Sequence, residues 1–228
     1  GPPGGGHGLR RSLMGRCGVL LELGDGYGLR AAVSGDHAAL SSICLRTGDA
    51  GRDATAREDD PTLLGLIYAI PYQVHAPDFA FVVEGPGGVC GYVLGAPDSA
   101  AFYETVRRDW FPPLAARLRD PGPDEAAWTG SDWARRFIHH PRFVFAEGLT
   151  PYPAHGHIDL LEETRGRRIG SRIMRFLMER LRETGVPGLH LQVSPKNSGA
   201  LRFYEAMGMR RLEHASLPAS SVFMVAEL

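Results

Sequence analysis

NSGALRFYEAMGM, residues 197–209, packs a helix start, a short apolar face and a helix stop into one run. Asn197 and Ser198 carry side chains that accept hydrogen bonds from the free amides of a first helical turn, and Gly208 is suited to ending the helix. Upstream, LHLQVS (189–194) alternates leucine, leucine and valine with histidine, glutamine and serine, the pattern of a strand with one face in the core. Before that lies TRGRRIG (164–170), a turn with two glycines and three arginines that opens into SRIMRFLMERLRETG. Ile169, Ile173, Leu177 and Leu181 recur every four residues there, which predicts an amphipathic helix. AHGHIDLL (154–161) in front of the turn reads as a strand. The order is therefore strand, basic glycine turn, helix, strand, capped short helix.

The turn is the first place to look for chemistry. A helix N-terminus leaves amides unpaired and carries about half a unit of positive charge, so it attracts anions. Gly166 and Gly170 let the backbone come near a ligand where a Cβ would stand in the way. A pyrophosphate is the anion that such a cradle suits. The lysine and Ser/Thr of a P-loop are missing, and so is GxGxxG, so neither of those nucleotide sites is supported. On its own the turn could equally be a solvated basic loop.

The rest of the chain supplies a β–α start and a hairpin. Leu29–Val33 reads as a strand, with Ser34, Gly35 and Asp36 capping a helix through HAALSSICLRTG. Residues 50–61 are polar and expected to be mobile, and TLLGLIYAIPYQVHAP is expected to be a helix broken before Pro71. FAFVVE (79–84), GPGG (85–88) and VCGYVLGA (89–96) form the clearest hairpin. Residues 97–153 are proline-rich, with helical stretches near 98–111 and 129–138, and read as an insertion whose tryptophans 110, 128 and 133 could line a pocket. SVFMVAEL ends the chain as a strand.

Composition excludes several classes. The 228 residues carry 25 basic and 26 acidic side chains, a net charge of −1 that offers no broad footprint for nucleic acid or an anionic membrane. No apolar run approaches the roughly 20 residues of a membrane-spanning helix. Three widely spaced cysteines suggest neither a disulfide framework nor a zinc site, which fits a cytoplasmic protein without a metal. Residues 1–28 are expected to be a flexible or loosely docked leader, and 29–228 one domain.

Two motifs resemble those of the GNAT superfamily of acetyl-CoA-dependent N-acetyltransferases. Arg165–Gly170 is similar to its Q/R-x-x-G-x-G/A loop. NSGALRFYEAMGM is similar to its N-x-x-A-x-x-F-Y-x-x-x-G-F helix, with Asn197, Ala200, Phe203, Tyr204 and Gly208 in register. Within the superfamily, HIDLLEETRGRRIG and GVPGLHLQVSPKNSGALRFYEAMGM most resemble the acetyltransferase-like domain of animal O-GlcNAcase and its stand-alone bacterial relatives. The long insertion after the third strand (89–96) fits that subgroup.

The resemblance implies an α/β fold: a mixed, mostly antiparallel sheet flanked by helices and splayed between the fourth strand (154–161) and the fifth (189–194), with the helical insertion between the third and fourth. It implies acetyl-CoA as acyl donor and an amine acceptor, on a small molecule or a protein lysine, in a monomer or homodimer. The cofactor would lie along backbone groups of Leu160 and Leu161, with its pyrophosphate on Arg165, Gly166, Arg167, Arg168, Ile169, Gly170 and Ser171, and with Asn197, Ala200 and Tyr204 along the remainder. Arg168 replaces the family's middle glycine and either crowds the phosphates or contacts them. Tyr204, protonated at its ordinary pKa of about 10 beside a thiol of about 8.5, is the expected acid. His155, His157 and Asp159 alternate along one strand face, and Asp159 or His157 is the expected base, with Glu162 or a water chain as rivals. Asn197 would either bond pantetheine or cap its helix. The alternative function is a non-catalytic acyl-CoA-binding module.

Overall fold

Residues 18–228 are described by a computed structural model. They form an eight-stranded sheet in the order β1-β2-β3-β4-β5-β6-β8-β7. The strands are β1 (Val19–Gly24), β2 (Tyr27–Ala31), β3 (Ala80–Gly85), β4 (Gly88–Ala96), β5 (Ala154–Leu160), β6 (Gly188–Val193), β7 (Arg210–Leu212) and β8 (Val222–Glu227). Every neighbouring pair is antiparallel except β5 and β6. The helices are α1 (His37–Arg46), α2 (Leu63–Tyr68), α3 (Ile70–His75), α4 (Ser99–Thr105), α5 (Phe111–Ala115), α6 (Asp132–His139), α7 (Ile169–Arg182) and α8 (Ser198–Ala206).

The β5–β6 pairing decides where a ligand can enter. It consists of Ala154 opposite Leu189 and His155 opposite His190, and goes no further. Beyond those residues the strands part, while β5 stays bonded to β4 along its length from His155 to Leu160. The expected splay between the strands at 154–161 and 189–194 is therefore present.

The two faces of the sheet differ. On one lies α7, whose Ile169, Ile173, Met174, Leu177 and Leu181 are buried. A Cβ on Gly156 of β5 would come within 3.1 Å of Leu177, so even-numbered residues of β5 face α7. Burying each such side chain contributes about 1.5–3 kcal/mol, which holds the helix and the glycine turn before it in one place. His155, His157 and Asp159 face the opposite way, toward α1–α3 and the insertion.

Two expectations change. Residues 19–24, assigned to a loose leader that was to extend to residue 28, are β1, paired with β2; residues 1–17, with Cys17, lie outside the described residues. The segment 50–61 is tied to the insertion rather than free. The Glu58 carboxylate accepts from Trp133 Nε1 at 3.1 and 3.2 Å, Asp59 from the Ser131 amide at 2.7 Å, and Ser131 Oγ from the Asp60 amide at 3.1 Å. The apolar helix breaks at Ala69, and Pro71 sits in the first turn of α3, where its missing N–H costs nothing.

Candidate active site

Two cavities flank the gap between β5 and β6. One, of about 580 Å³, runs from Ile158 and Leu160 past Thr164, Arg165, Gly166 and Arg168–Ser171 to Ala200, Phe203 and Tyr204. The other, of about 490 Å³, is walled by Tyr68, Tyr72, Tyr103, Trp133, Phe137 and Phe143 and contains His157 and Asp159. Ile158, Ala200 and Tyr204 belong to both, so the cavities meet at the Tyr204 ring. Its hydroxyl makes no hydrogen bond among the described residues.

The first cavity gathers most of the residues expected to hold an anion. Arg168 is the N-cap of α7 at φ +59°, so the amides of Ile169, Gly170 and Ser171 lack intrahelical acceptors. That left-handed conformation explains why the motif carries glycine where this chain has arginine. The Arg168 guanidinium has no partner among the described residues. Gly166, at φ +73°, needs its glycine for conformation, with open space where a Cβ would go. At Gly170 a Cβ would meet the Leu160 and Phe203 side chains at 3.3 Å, so the helix start packs closely there.

Three expected cofactor residues stand apart from this cavity. Arg167 turns away to pair with Asp25 at 2.6 Å over the Tyr27 ring. Leu161 is buried, and its amide donates to the Cys90 carbonyl at 2.9 Å, so it is engaged by β4. Alternation then turns the backbone groups of Ile158 and Leu160 toward the gap. Asn197 caps α8, accepting from the Ala200 amide at 3.0 Å, and its residue lines the second cavity.

In the second cavity, Asp159 is enclosed by protein, with one side open to the void. Burial pushes its carboxyl up to about 6, while hydrogen bonds from Tyr92 and Thr47 pull the other way. Tyr92 Oη donates to Asp159 Oδ2 at 2.5 Å from the neighbouring strand. The expected His–Asp pair is not formed. His157 makes no hydrogen bond among the described residues, and burial drives it down to about 4, so its ring is neutral near pH 7. Glu162, with a side chain 84% exposed and paired with Arg165, lies outside this cavity.

His155 is part of a fixed chain. Ser99 has one hydroxyl proton and donates it to the Pro153 carbonyl at 2.6 Å. It must therefore accept from His155 Nδ1, at 2.7 Å, which leaves Nε2 to accept from Tyr72 Oη at 2.6 Å. The assignment rests on who can donate, and it makes the Tyr72 oxygen an acceptor toward any further partner. Tyr92, Tyr72 and Ser99 escape a sequence reading because only strand pairing and helix packing bring them to the site. Of the insertion's tryptophans, Trp133 lines the main cavity, whereas Trp110 caps the Leu66 carbonyl and Trp128 bonds Gly122.

Burial beside Asp159 pushes the Tyr204 hydroxyl well above its usual value. A phenol is already a weaker acid than a thiol, so giving a proton to an ordinary thiolate is uphill. Burial acts on a thiol here in the same direction, so it does not widen that gap. Cys44 lines the same cavity, and burial with the Asp159 charge raises its thiol well above the ordinary value. A thiolate held beside Tyr204 would be raised by the same dry surroundings. Among the described residues no cluster of metal-ligating side chains occurs, and no helix is long and apolar enough to cross a membrane.

Comparison with known proteins fits this geometry. The profile of the acetyltransferase (GNAT) family matches residues 54–209. The chain belongs to the GNAT acetyltransferase family. Protein O-GlcNAcase of Rattus norvegicus is 25% identical over 182 residues, which cover 80% of this chain and 20% of that protein, as does the Mus musculus enzyme. The chain thus spans about a fifth of the length of these relatives. The crystal structure of SsHAT superposes with a TM-score of 0.80 at 30% identity, covering 89% of this chain and 98% of that one. The structure of yncA from Salmonella typhimurium, determined with its cofactor acetyl-CoA, shares the fold at 14% identity and a TM-score of 0.50, covering 89% of this chain and 94% of its own. GNAT enzymes are acyltransferases that use acetyl-CoA and an acceptor.

Proposed function

We propose that residues 18–228 form one domain that transfers an acetyl group from acetyl-CoA to an amine by direct attack on the thioester. The observation that carries the reading is the pair of cavities meeting at Tyr204, one on the N-terminus of α7 and the other containing Asp159. The donor lies in the first, its pyrophosphate on the Ile169–Ser171 amides with Arg165 and Arg168 beside it, and its pantetheine along the open backbone edge of Ile158 and Leu160. The acceptor amine enters from the second.

The amine nitrogen attacks the thioester carbonyl carbon; the C–N bond forms and the C–S bond breaks. Asp159, ionised above pH 6, takes the proton that the amine loses. Tyr204 gives its proton to the departing sulfur. Asp159 then holds a proton that Tyr204 lacks, and returning it is downhill because a carboxylic acid is far stronger than a phenol. Both residues line the same cavity, and because the Tyr204 hydroxyl is not hydrogen-bonded to Asp159 the return passes through a water molecule in that cavity.

The test is calorimetry with acetyl-CoA followed by a thiol-release assay over a panel of primary amines. Saturable binding together with amine-dependent release supports the enzyme. Binding without release from any amine would favour a module that senses acyl-CoA, and absence of binding would remove both readings.

A further inference from the structure

The acceptor cavity is polarised. Its lining carries two charged side chains, Asp159 and Arg142, of opposite sign. Asp159 sits at the enclosed end beside Tyr92. Arg142 is exposed, on the extended segment after α6, so it marks the solvent side of this lining, and it also lines a smaller cavity with Trp128 and His140. Its guanidinium has no hydrogen bond or ion pair among the described residues, whereas Arg135 and Arg136 of the adjoining helix are engaged by carboxylates. The same lining includes the rings of Tyr68, Trp133, Phe137 and Phe143.

Among neutral polar groups such as Gln192, Ser194 and Ser221, the lining also holds groups with a single hydrogen-bonding sense. At the inner end the Asp159 carboxylate accepts, and the Tyr72 oxygen can only accept because its proton is committed to His155. On the solvent side Arg142 only donates. An amine head therefore finds acceptors inside, an apolar body finds aromatic walls, and an anionic tail finds the planar fork that suits carboxylate or phosphate.

From this, and resting on the acetyltransferase reading, we propose that the acceptor is a small zwitterion: a primary amine on a short apolar or aromatic body that ends in a carboxylate or phosphate held by Arg142. Charge balance selects it. A zwitterion pairs with Asp159 and Arg142 together, a plain alkylamine forgoes the Arg142 contact, and a diamine sets its second ammonium against the guanidinium.

The experiment uses matched probes on the protein saturated with coenzyme A, so that it does not depend on turnover. Binding of 4-(aminomethyl)benzoate is compared with that of benzylamine, 6-aminohexanoate and O-phosphoethanolamine with hexylamine and ethylamine, and 1,6-diaminohexane serves as the repelled case. The expected order is zwitterion above monoamine by tenfold or more, with the diamine last. In Arg142→Met that preference collapses to about twofold, and Arg142→Lys restores part of it for the phosphate more than for the carboxylate. Equal binding of each matched pair, an unchanged preference in Arg142→Met, binding of no probe, or tighter binding of the diamine or of an end-blocked peptide whose one charge is a lysine ammonium would overturn the proposal. Where acetyl-CoA itself fails to bind in calorimetry, the acetyltransferase reading fails, and the probe preference is still read on the protein alone.

Discussion

At the scale of single residues, Tyr204 and Asp159 make separable claims. Tyr204→Phe keeps the ring and its packing against Phe203 but removes the proton. Turnover at saturating acetyl-CoA should fall by about 10²–10⁴-fold with little change in acetyl-CoA affinity; an unaltered rate would leave Tyr204 a packing residue. Asp159 links function to stability. Its carboxyl is raised from 3.8 to about 6, so between those values the folded chain holds a proton that the unfolded chain has lost. Its penalty on stability is thus absent below pH 4, grows as pH rises to 6 and stays constant above, at about 3 kcal/mol. Asp159→Asn should melt higher than wild type at pH 7–8, by an advantage that vanishes near pH 4, while losing the inflection near pH 6 in kcat/KM along with most of the rate. The buried histidines titrate in both proteins, so the difference between the two melting curves isolates Asp159.

At the scale of elements, α7 turns a stripe of buried side chains into a fixed ligand-facing end, and Arg168 sits at the joint. A non-glycine residue in the left-handed region costs roughly 1–2 kcal/mol, whereas glycine loosens the unfolded chain by about 0.4–1 kcal/mol. Arg168→Gly should therefore be neutral to slightly stabilising in thermal melts. If the guanidinium meets the pyrophosphate, calorimetry at low salt should show acetyl-CoA bound about fivefold to tenfold more weakly, a gap that narrows at about 0.5 M salt; unchanged affinity would make Arg168 a bystander. Elements such as α7, β6 and α8 were legible because their signals are local: a period of four, an alternation, a cap and a stop. The partners of the site were not. Tyr92 reaches Asp159 across 67 residues and Glu58 reaches Trp133 across 75, through strand register and helix docking that no local pattern encodes. β1 was missed because a short apolar run beside a glycine-rich start resembles a leader until β2 pairs with it.

At the scale of the whole molecule, the sheet divides the labour between its faces. The α7 face and the gap after His155 form a cavity whose lining includes no residue of 97–153. The opposite cavity takes Phe102, Tyr103, Trp133, Phe137, Arg142 and Phe143 from that insertion, which is locked to the chain before α2 through Glu58 and Asp59. Cutting the insertion away would expose the buried faces of α2 and α3, so a point variant gives the cleaner experiment. Trp133→Leu removes one aromatic wall and the indole donor to Glu58, while Ala134 and Ile138 still anchor α6. Leaving the buried Glu58 carboxylate short of a donor costs about 1–3 kcal/mol, so the melting temperature should drop by several degrees. Acceptor KM should rise by tenfold or more, since an aromatic wall contributes most of its energy through contact area. Acetyl-CoA affinity, measured by calorimetry below the new melting temperature, should match wild type. A parallel loss of acetyl-CoA binding in the folded variant would mean that the two cavities are mechanically coupled across the sheet and that the insertion serves the donor side as well.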